Sequence, residues 1–374
     1  MDSEDILRGL LEWVAIETPT GHVENIGKLV DLIARQLLPL GASLERVPGR
    51  DGMGDHLIAR FAGGSGPGVL VTSHIDTVCE PGAVAIRRKD DRQYGPGIAD
   101  MKGGGFLALC AMRNITATGG RLPGPVTLIF NSDEEIGSPT SSKLIQAEAR
   151  RHGAALIPEP ARGDEVITFR KGRAKYRLQI TGREAHAGSA FADGRSAISE
   201  LGRVIARLDA MTDLAGGTTV NVGRVQGGTE PNVVAGKASC EVDVRFADDR
   251  LGQEVEQAIL AMCAEGDGTR IEVKGEIEKP CLARTEATLA LCEAARQINQ
   301  AAGWPLAETR SGGGSDGNFT STVGVPTLDG LGVIGNDWHS PQEHILVGCL
   351  ARREMLLRQL ILRFAGERPL GKTP

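Results

Sequence analysis

Histidines and carboxylates recur in five short segments of this sequence, and these residue types bind divalent metal ions. The segments are SHID at 73–76, GIAD at 97–100, DEE at 133–135, PEP at 158–160 and WHS at 338–340. Each segment follows an apolar run or lies in a glycine-rich turn. Imidazole and carboxylate donors without thiolate suit zinc, and also cobalt or manganese. Two such ions about 3.5–4 Å apart can activate water against an amide bond without a serine or cysteine nucleophile.

The first segment places a histidine and an acid two residues apart. His74 and Asp76 follow the apolar run GVLVTS, and alternation along an extended chain directs both side chains to one side. A metal-binding histidine usually donates its second ring nitrogen to a carboxylate, and Asp76 is placed to accept that bond. A His-x-Asp pair is also common outside metal sites, so this segment alone leaves the ordinary alternative open.

The second segment is the glycine-rich turn YGPGIADMKGGG, which contains Asp100. A carboxylate held among small residues on a constrained turn suits a ligand shared by two metal ions. The alternative is a helix N-terminus that binds phosphate. The glycine spacing fits neither the dinucleotide fingerprint nor the P-loop, so the sequence favours the metal.

Three adjacent acids follow the predicted strand VTLIFNS. They would repel one another unless a cation lay among them. Because adjacent side chains point in different directions, Glu135 could bind a metal while Glu134 serves as a general base. The alternative is an acidic turn at the start of the helix that follows.

Glu159 and His339 complete the set. Prolines on both sides restrict the backbone of Glu159, and a buried carboxylate there would need a cation. A carboxylate that faces solvent is the alternative, and His339 could be an ordinary loop histidine. All five segments share a position after a predicted strand or in the loop beyond it, where open α/β sheets place their sites.

The elements that must position these residues alternate between strand and helix. This order predicts an α/β domain, with a mixed, mostly parallel sheet covered by helices, over residues 1–172 and 281–374. Between them, residues 173–280 read strand, helix, strand, strand, helix, strand, which predicts an inserted α+β ferredoxin-like domain. A final strand, VPTLDGL, and a helix near 345–364 are predicted at the end of the first domain.

Composition excludes several other classes of protein. A hydrophobic content of 41% and a charged content of 24% are typical of a globular protein. The net charge of -6 is spread without blocks, which gives no reason to expect binding to nucleic acid or to a membrane. The acidic N-terminal segment lacks the features of a signal peptide, so we expect a cytoplasmic protein with reduced cysteines.

Taken together, the motifs resemble those of the co-catalytic di-zinc metallopeptidases of the carboxypeptidase G, acetylornithine deacetylase and succinyl-diaminopimelate desuccinylase type. The resemblance spans nearly the whole chain, through SHID, GPGIADMKGG, DEEIGS, IPEP, SGGGSD and WHS. It is closest to glutamate carboxypeptidases, in YGPGIAD, LIFNSDEEIGS, AHAGS and TRSGGGSD.

The resemblance implies a site for two divalent metal ions, with zinc as the first candidate and cobalt or manganese as alternatives. Asp100 would be shared by both ions, and Glu134 would deprotonate the bridging water and later protonate the leaving amine. Asp76 would orient His74. The ligands would be His74 and Glu159 at one ion, Glu135 and His339 at the other, and Asp100 at both.

In the inserted domain, the resemblance implies a lid that also forms a homodimer. His186 would polarise the scissile carbonyl in the partner subunit's site, and Asn232 and Arg245 would hold the substrate carboxylate beside the backbone of Gly314. Lys279 stands where the G-type enzymes carry arginine, and it supplies charge without a bidentate fork. The alternatives are an ordinary loop histidine and an arginine that pairs with a surface acid.

The function implied is release of a C-terminal amino acid, with glutamate as a candidate, from an N-acyl amino acid, a peptide or a folate-like substrate. One alternative is an N-acyl-amino-acid deacylase, and another is an amidohydrolase of an unusual aromatic or xenobiotic amide. A more distant alternative is an inactive metal-binding dimeric scaffold. The presence of Glu134 and all five ligands argues against the scaffold.

Overall fold

The computed structural model describes residues 1–119, 121–266 and 268–369, which form two compact units. The first unit contains Met1–Phe169, Leu282–Ser311 and the chain from Ser315 onward. The second contains Arg170–Cys281 and the short segment Gly312–Gly314. The insertion was predicted to run from 173 to 280, and the segment at 312–314 was assigned to the other domain.

The described residues form helices and strands that are numbered here in chain order. The helices are α1 (Ser3–Val14), α2 (Val23–Leu37), α3 (Gly104–Ala117), α4 (Ser142–Ala149), α5 (Ala197–Asp209), α6 (Asp249–Leu260), α7 (Glu286–Ala301), α8 (Gly317–Thr322) and α9 (Leu350–Gly366). The strands are β1 (Ser43–Val47), β2 (His56–Phe61), β3 (Val69–His74), β4 (Arg87–Lys89), β5 (Arg92–Tyr94), β6 (Val126–Asn131), β7 (Ala154–Leu156), β8 (Glu165–Arg170), β9 (Gly172–Thr181), β10 (Ala185–His186), β11 (Thr219–Gly227), β12 (Val233–Val234), β13 (Lys237–Phe246), β14 (Arg270–Lys279), β15 (Ala307–Ser311), β16 (Thr327–Leu328), β17 (Gly335–Asn336) and β18 (His344–Leu346). Among these helices, none combines the length and the apolar character needed to cross a lipid bilayer.

A six-stranded sheet of order β1-β2-β6-β3-β7-β16 forms the centre of the first unit. β2 is antiparallel to β1 and β6, whereas β6, β3, β7 and β16 run parallel to one another. The prediction of a mixed, mostly parallel sheet is thus confirmed. β3 and β6 are buried at every position, as expected for strands covered on both faces.

Helices cover both faces of this sheet. Alternate residues of β3 serve the two faces, since Val69 and Val71 pack into one apolar cluster and Leu70 into the other. The larger cluster joins the sheet to α1, α2, α3, α7 and α9, and the smaller joins it to α4 and α8. This packing fixes the parallel strands, whose carboxyl ends meet at one edge of the sheet.

The end of the first unit differs from the sequence-based prediction. The last helix begins at Leu350 rather than near 345, and His344–Leu346 forms β18, which pairs with β17 and β5. Only Thr327–Leu328 of VPTLDGL is a strand. The prediction was wrong here because pairing with a strand some 250 residues earlier leaves no trace in local periodicity.

The second unit has the predicted order of strand, helix, strand, strand, helix, strand in β9, α5, β11, β13, α6 and β14. These strands form an antiparallel sheet of order β11-β13-β9-β14. Buried and exposed residues alternate along β9, and its buried side packs with α5 and α6 around one apolar cluster. The predicted ferredoxin-like α+β arrangement is therefore confirmed.

Glu308 on β15 links the β8–β15 pair to the start of α7. Its carboxylate accepts hydrogen bonds from Arg284 Nε at 2.5 Å and from Thr168 Oγ1 at 2.6 Å. The bond from Arg284, followed by that from Thr168, lowers the pKa of Glu308 from 4.5 to about 2. A carboxylate whose pKa is lowered by folding stabilises the protein above its unfolded pKa, and this contribution is lost as pH falls through the folded pKa.

We therefore expect Glu308→Gln to lower the free energy of unfolding near pH 7, because the stabilisation by the ionised carboxylate is lost. The expected decrease is about 1–2 kcal/mol, since solvent screens part of the electrostatic interaction. The difference from wild type should shrink between pH 4.5 and about 2. Urea denaturation across this range checks the prediction, with Glu293→Gln on the exposed side of α7 as the control. A constant difference at every pH would contradict it.

Candidate metal centre

The first unit brings the five predicted metal ligands together around Asp100. One carboxylate oxygen of Asp100 lies 3.1 Å from His74 Nε2, and the other lies 3.1 Å from His339 Nε2. Glu135 Oε2 is 3.2 Å from the same nitrogen of His339, and Glu159 Oε1 is 3.9 Å from His74 Nε2. The donors thus fall into two groups that share Asp100.

These distances fit divalent ions. Tetrahedral zinc with bonds of about 2.0–2.1 Å places its donor atoms roughly 3.3 Å apart. The donor atoms of His74, Asp100 and Glu135 all lie within 4.8 Å of one another. Glu135 Oε1 is buried and accepts no hydrogen bond from any described residue. A buried carboxylate oxygen without a donor is stabilised by a cation, so the residues present fit a bound divalent metal.

The charges of the cluster are strongly coupled. Burial and the charge of Asp100 raise the pKa of Glu135 to about 8, and hydrogen bonds to Asp100 and Glu135 raise the pKa of His339 to about 10. Burial opposes ionisation of Asp100, but hydrogen bonds from His339 and His74 hold its pKa below the ordinary value. The buried carboxylates therefore require positive charge, which protonated histidines or bound cations can supply.

Asp76 contacts both His74, at the end of β3, and the acidic turn that follows β6. His74 Nδ1 lies 3.0 Å from the carbonyl oxygen of Asp76 and 3.4 Å from its carboxylate, so that Nε2 faces Asp100. The same carboxylate accepts hydrogen bonds from the backbone N–H groups of Glu134 at 3.2 Å and Glu135 at 3.3 Å. Asp76 therefore orients His74 and also holds the acidic turn beside it.

The three consecutive acids have different surroundings. The Asp133 carboxylate accepts hydrogen bonds from the backbone and hydroxyl of Thr140, which closes the loop before α4. Glu135 faces His339, and Glu134 is only 9% exposed in the same turn. Asp316, at the end of the SGGGSD motif, accepts hydrogen bonds from Ser138 and Asn131 and so supports the turn from another side.

Glu159 is positioned by close backbone packing. It is buried, three residues past the end of β7. A side chain at Gly104, in the first turn of α3, would overlap the carbonyl oxygen of Pro158, and so would a side chain at Gly332. Glycine at these two positions lets a helix and a loop press against the segment that carries Glu159.

His339 lies in a strained loop. Its φ is 63°, and that of Asp337 is 58°, values that residues other than glycine rarely adopt. Ser340 Oγ donates a hydrogen bond to the carbonyl oxygen of Asp337 at 2.6 Å and accepts one from Gln342 N at 3.1 Å. Such strain persists where surrounding contacts enforce it, and it is frequent at functional sites.

The predicted substrate residues lie in the second unit, in two separate places. His186 and Asn232 are neighbours, because Ala187 N donates to the carbonyl oxygen of Asn232 at 2.8 Å, and His186 is exposed. Arg245 and Lys279 both pair in register with Arg173 of β9, so they lie in one row of the sheet.

Arg245 forms side-chain contacts with Asp243 and with the segment Gly312–Gly314. Arg245 Nε is 2.7 Å from a carboxylate oxygen of Asp243. Gly314 belongs to the segment Gly312–Gly314, whose carbonyl oxygens accept hydrogen bonds from Arg170 at 3.2 Å and from Arg245 at 3.5 Å. Arg245 thus contributes to holding this segment against its unit.

Two charged residues that hold the turn containing Asp100 were not predicted from the sequence. Glu343 is buried and accepts hydrogen bonds from the backbone N–H groups of Gly97, Ala99 and Asp100. Lys102 is fully buried, and its Nζ donates to the carbonyl oxygen of Ile16 at 2.7 Å. The sequence offered a signal only for Lys102, which is a lysine within a run of apolar and glycine residues.

Comparisons with known proteins agree with this geometry. The chain matches the model of Peptidase family M20/M25/M40 over residues 70–363. It is 31% identical to carboxypeptidase G2 from Pseudomonas sp. (strain RS-16), with 96% of this chain and 88% of that protein covered. It is also 31% identical to acetylornithine deacetylase from Myxococcus xanthus, over 96% of this chain and 97% of the relative.

Solved structures share the fold. Aminopeptidase PepT from Bacillus cereus superposes with a TM-score of 0.81 at 23% identity. The match covers 98% of this chain and 100% of the PepT chain. The dinuclear metal binding peptidase YXEP of Bacillus subtilis gives a TM-score of 0.73 at 18% identity, covering 97% and 98% of the two chains. The chain therefore belongs to Peptidase family M20/M25/M40, whose members are metal-dependent hydrolases of amide bonds.

Proposed function

We propose that this protein uses two divalent metal ions to release an amino acid with a free carboxylate from an N-acyl amino acid or peptide, with glutamate as the first candidate. The observation that carries the proposal is Asp100, whose two carboxylate oxygens each lie 3.1 Å from a different histidine. The likeness to carboxypeptidase G2 over 96% of the chain supports release of a C-terminal amino acid, and glutamate is proposed from the resemblance of the motifs alone.

The proposed ligands would hold two divalent ions, with Asp100 as a ligand to both. When bound, such ions lower the pKa of a shared water and stabilise negative charge on the carbonyl oxygen. Neutral imidazoles are the ligand form of histidine, so ion binding would displace the protons that the metal-free cluster holds. Zinc is the first candidate, with cobalt or manganese as alternatives. The ligands would be His74 and Glu159 at one ion, Glu135 and His339 at the other, and Asp100 at both, which is the grouping that the distances between these side chains support.

Glu134 is proposed as the general base. It follows β6 in the same buried turn as the ligand Glu135, and its backbone N–H is held by Asp76. The carboxylate would accept a proton from the attacking water and return it to the leaving amine nitrogen as the amide bond breaks. Positioned proton transfer of this kind typically contributes about 10²–10⁴-fold to the rate.

The second unit is proposed to act as a lid and as the surface of a homodimer. Asn232, Arg245 and Lys279 would recognise the substrate carboxylate together with the backbone of Gly314. His186, which is exposed on a short two-stranded ribbon, would polarise the scissile carbonyl in the partner subunit's site. Its neighbours Gly188 and Ser189 donate backbone hydrogen bonds to Nδ1 at 3.1 Å, so Nε2 is the ring nitrogen left to donate to a carbonyl oxygen.

Action of His186 in the partner's site has a specific kinetic consequence. We expect the single variants His186→Ala and Glu134→Gln to be nearly inactive, and their mixture to regain activity after subunit exchange. In a mixed dimer, one site would combine an intact Glu134 with an intact His186 from the other subunit. Steady-state hydrolysis rates of the mixture check this prediction. Measurement of the molecular mass in solution shows whether the two variants form dimers. A mixture no more active than its parts would show that His186 does not act in the partner's site.

A second candidate is an N-acyl-amino-acid deacylase. The specific observation in its favour is the 31% identity to acetylornithine deacetylase, which covers as much of this chain as carboxypeptidase G2 does. The proposed ion ligands and base would serve this reaction equally well, because the same amide bond is broken. The two candidates differ in which part of the substrate is recognised.

A panel of substrates distinguishes these functions. Zinc-loaded protein would be assayed on the N-acyl derivatives of glutamate, aspartate, ornithine, diaminopimelate and phenylalanine, and on folate, with Glu134→Ala as the control. Preference for N-acyl-glutamate or folate would support the first proposal, and preference for N-acetylornithine would support the deacylase. No hydrolysis of any substrate by protein with two bound zinc ions would contradict both.

A further inference from the structure

Glu343 connects two of the loops that carry proposed metal ligands. Its carboxylate accepts backbone hydrogen bonds from Ala99 at 2.8 Å and Asp100 at 3.0 Å through one oxygen, and from Gly97 at 3.1 Å through the other. The side chain is only 2% exposed. Because Glu343 follows His339 by four residues, it ties the backbone of Asp100 to the segment that carries His339.

The turn that Glu343 holds cannot satisfy these N–H groups by itself. Gly97 has a φ of 67°, and Asp100 has φ -114° and ψ 96°, so the backbone between them is not a regular helix. In an ordinary helix start, N–H groups face solvent or a capping side chain. Here the site buries them, and the Glu343 carboxylate takes the place of the cap.

Lys102 anchors the same turn from another direction. Its Nζ donates to the carbonyl oxygens of Ile16 at 2.7 Å and Pro96 at 3.4 Å. Glu343 therefore accepts hydrogen bonds from the backbone N–H groups of the turn. Lys102 donates one to the carbonyl oxygen of Pro96, just before the turn. With both in place, the Asp100 backbone has little freedom to shift relative to His74 and His339.

We propose, given the dinuclear site inferred above, that Glu343 is a positioning residue that sets the place of the shared ligand Asp100 relative to His339. A buried acid with a purely structural role would contact groups remote from the ligands. Glu354 is such an acid, since it is 3% exposed and binds Asn114 and Arg358. Glu343 instead binds the backbone N–H of a proposed ligand.

The test is zinc affinity rather than activity. Chelator-stripped wild type, Glu343→Ala, Glu343→Gln and the matched control Glu354→Gln would be titrated with zinc against a chromophoric competitor. We expect Glu343→Ala to weaken zinc binding by about 10–100-fold, as is typical for partners that orient ligands. The zinc affinity of Glu343→Gln should lie between those of wild type and Glu343→Ala. Its amide oxygen can still accept hydrogen bonds from two N–H groups, while its NH₂ group faces the N–H of Gly97. Glu354→Gln should retain wild-type affinity even if it unfolds more easily.

The outcomes separate this inference from the proposed function. Wild type that binds zinc, together with a folded Glu343→Ala of equal affinity, would overturn the positioning role and leave the proposed function intact. If Glu343→Ala does not fold, Glu343→Gln with wild-type affinity would overturn it instead. An equal loss in Glu354→Gln would also overturn it, because the effect would then follow from losing any buried acid. Wild type that binds none of zinc, cobalt and manganese would contradict the proposed function itself.

Discussion

Replacing Glu134 with glutamine is expected to lower kcat by about 10²–10⁴-fold while the bound metal remains. Glutamine has nearly the size of glutamate but cannot accept the proton of the attacking water. Glu134 lies in the buried turn beside the ligands, and Asp76 holds its backbone. Steady-state hydrolysis of an N-acyl amino acid, with metal analysis of the same samples, checks the prediction.

The adjacent residue provides the control for Glu134. Glu135→Gln is expected to lower the metal content, because Glu135 Oε2 lies 3.2 Å from His339 Nε2 and its Oε1 is buried without a hydrogen-bond donor among the described residues. The two variants change identical atoms in neighbouring positions. Near-normal kcat in Glu134→Gln, or loss of metal from it, would contradict the assigned role.

Replacing Asp100 with asparagine is expected to weaken binding of both ions and to lower kcat by about 10³-fold or more. An ion in such a site contributes several kcal/mol to the transition state, and each 1.36 kcal/mol is about tenfold in rate. Asparagine retains one carbonyl oxygen, but its NH₂ group would face one of the two histidine nitrogens that now lie 3.1 Å from Asp100. Zinc titration and hydrolysis rates check both parts.

Asp31→Asn is the matched control, because it makes the same chemical change on the exposed side of α2. It should change neither zinc affinity nor kcat. Two tightly bound ions and normal hydrolysis in Asp100→Asn would contradict the role of Asp100 as a shared ligand. Hydrolysis at the usual rate by the chelated wild type, which should resemble Asp100→Asn, would contradict the dependence on bound ions.

The positions of the site residues could be predicted because they follow from the order of strands. β3, β6 and β7 run parallel, so the loops after them meet at one edge of the sheet. His74 ends β3, and the acidic turn follows β6 after a few residues. Glu159 comes three residues after β7. Apolar runs that end in polar residues are visible in the sequence. In a parallel sheet, such runs bring their polar residues together at the carboxyl edge.

Contacts that hold the ligands from a distance could not be predicted in this way. Glu343 is separated by more than 240 residues from the N–H groups that it binds. Nothing in the segment PQEH distinguishes it from an exposed loop acid. The left-handed backbone of His339 likewise depends on bonds within its folded loop. The contacts of Glu343 arise from tertiary packing, which local residue patterns do not encode.

The second unit shows the same division. Its alternating strands and amphipathic helices have strong periodicity, so their order could be predicted. The segment Gly312–Gly314 has no periodicity, and it joins this unit through hydrogen bonds from Arg170 and Arg245 to its carbonyl oxygens. The start of α9 at Leu350 was also missed, because β18 precedes it and pairs with the distant β5.

A zinc titration of chelator-stripped wild-type protein, with hydrolysis of N-acyl-glutamate recorded at each addition, would show whether hydrolysis depends on two bound ions. We predict that the protein binds two equivalents of zinc, that hydrolysis reaches its maximum as the second is bound, and that Asp100→Asn shows neither. Full hydrolysis by protein without bound metal would contradict the account, as would a single zinc equivalent that suffices for full activity.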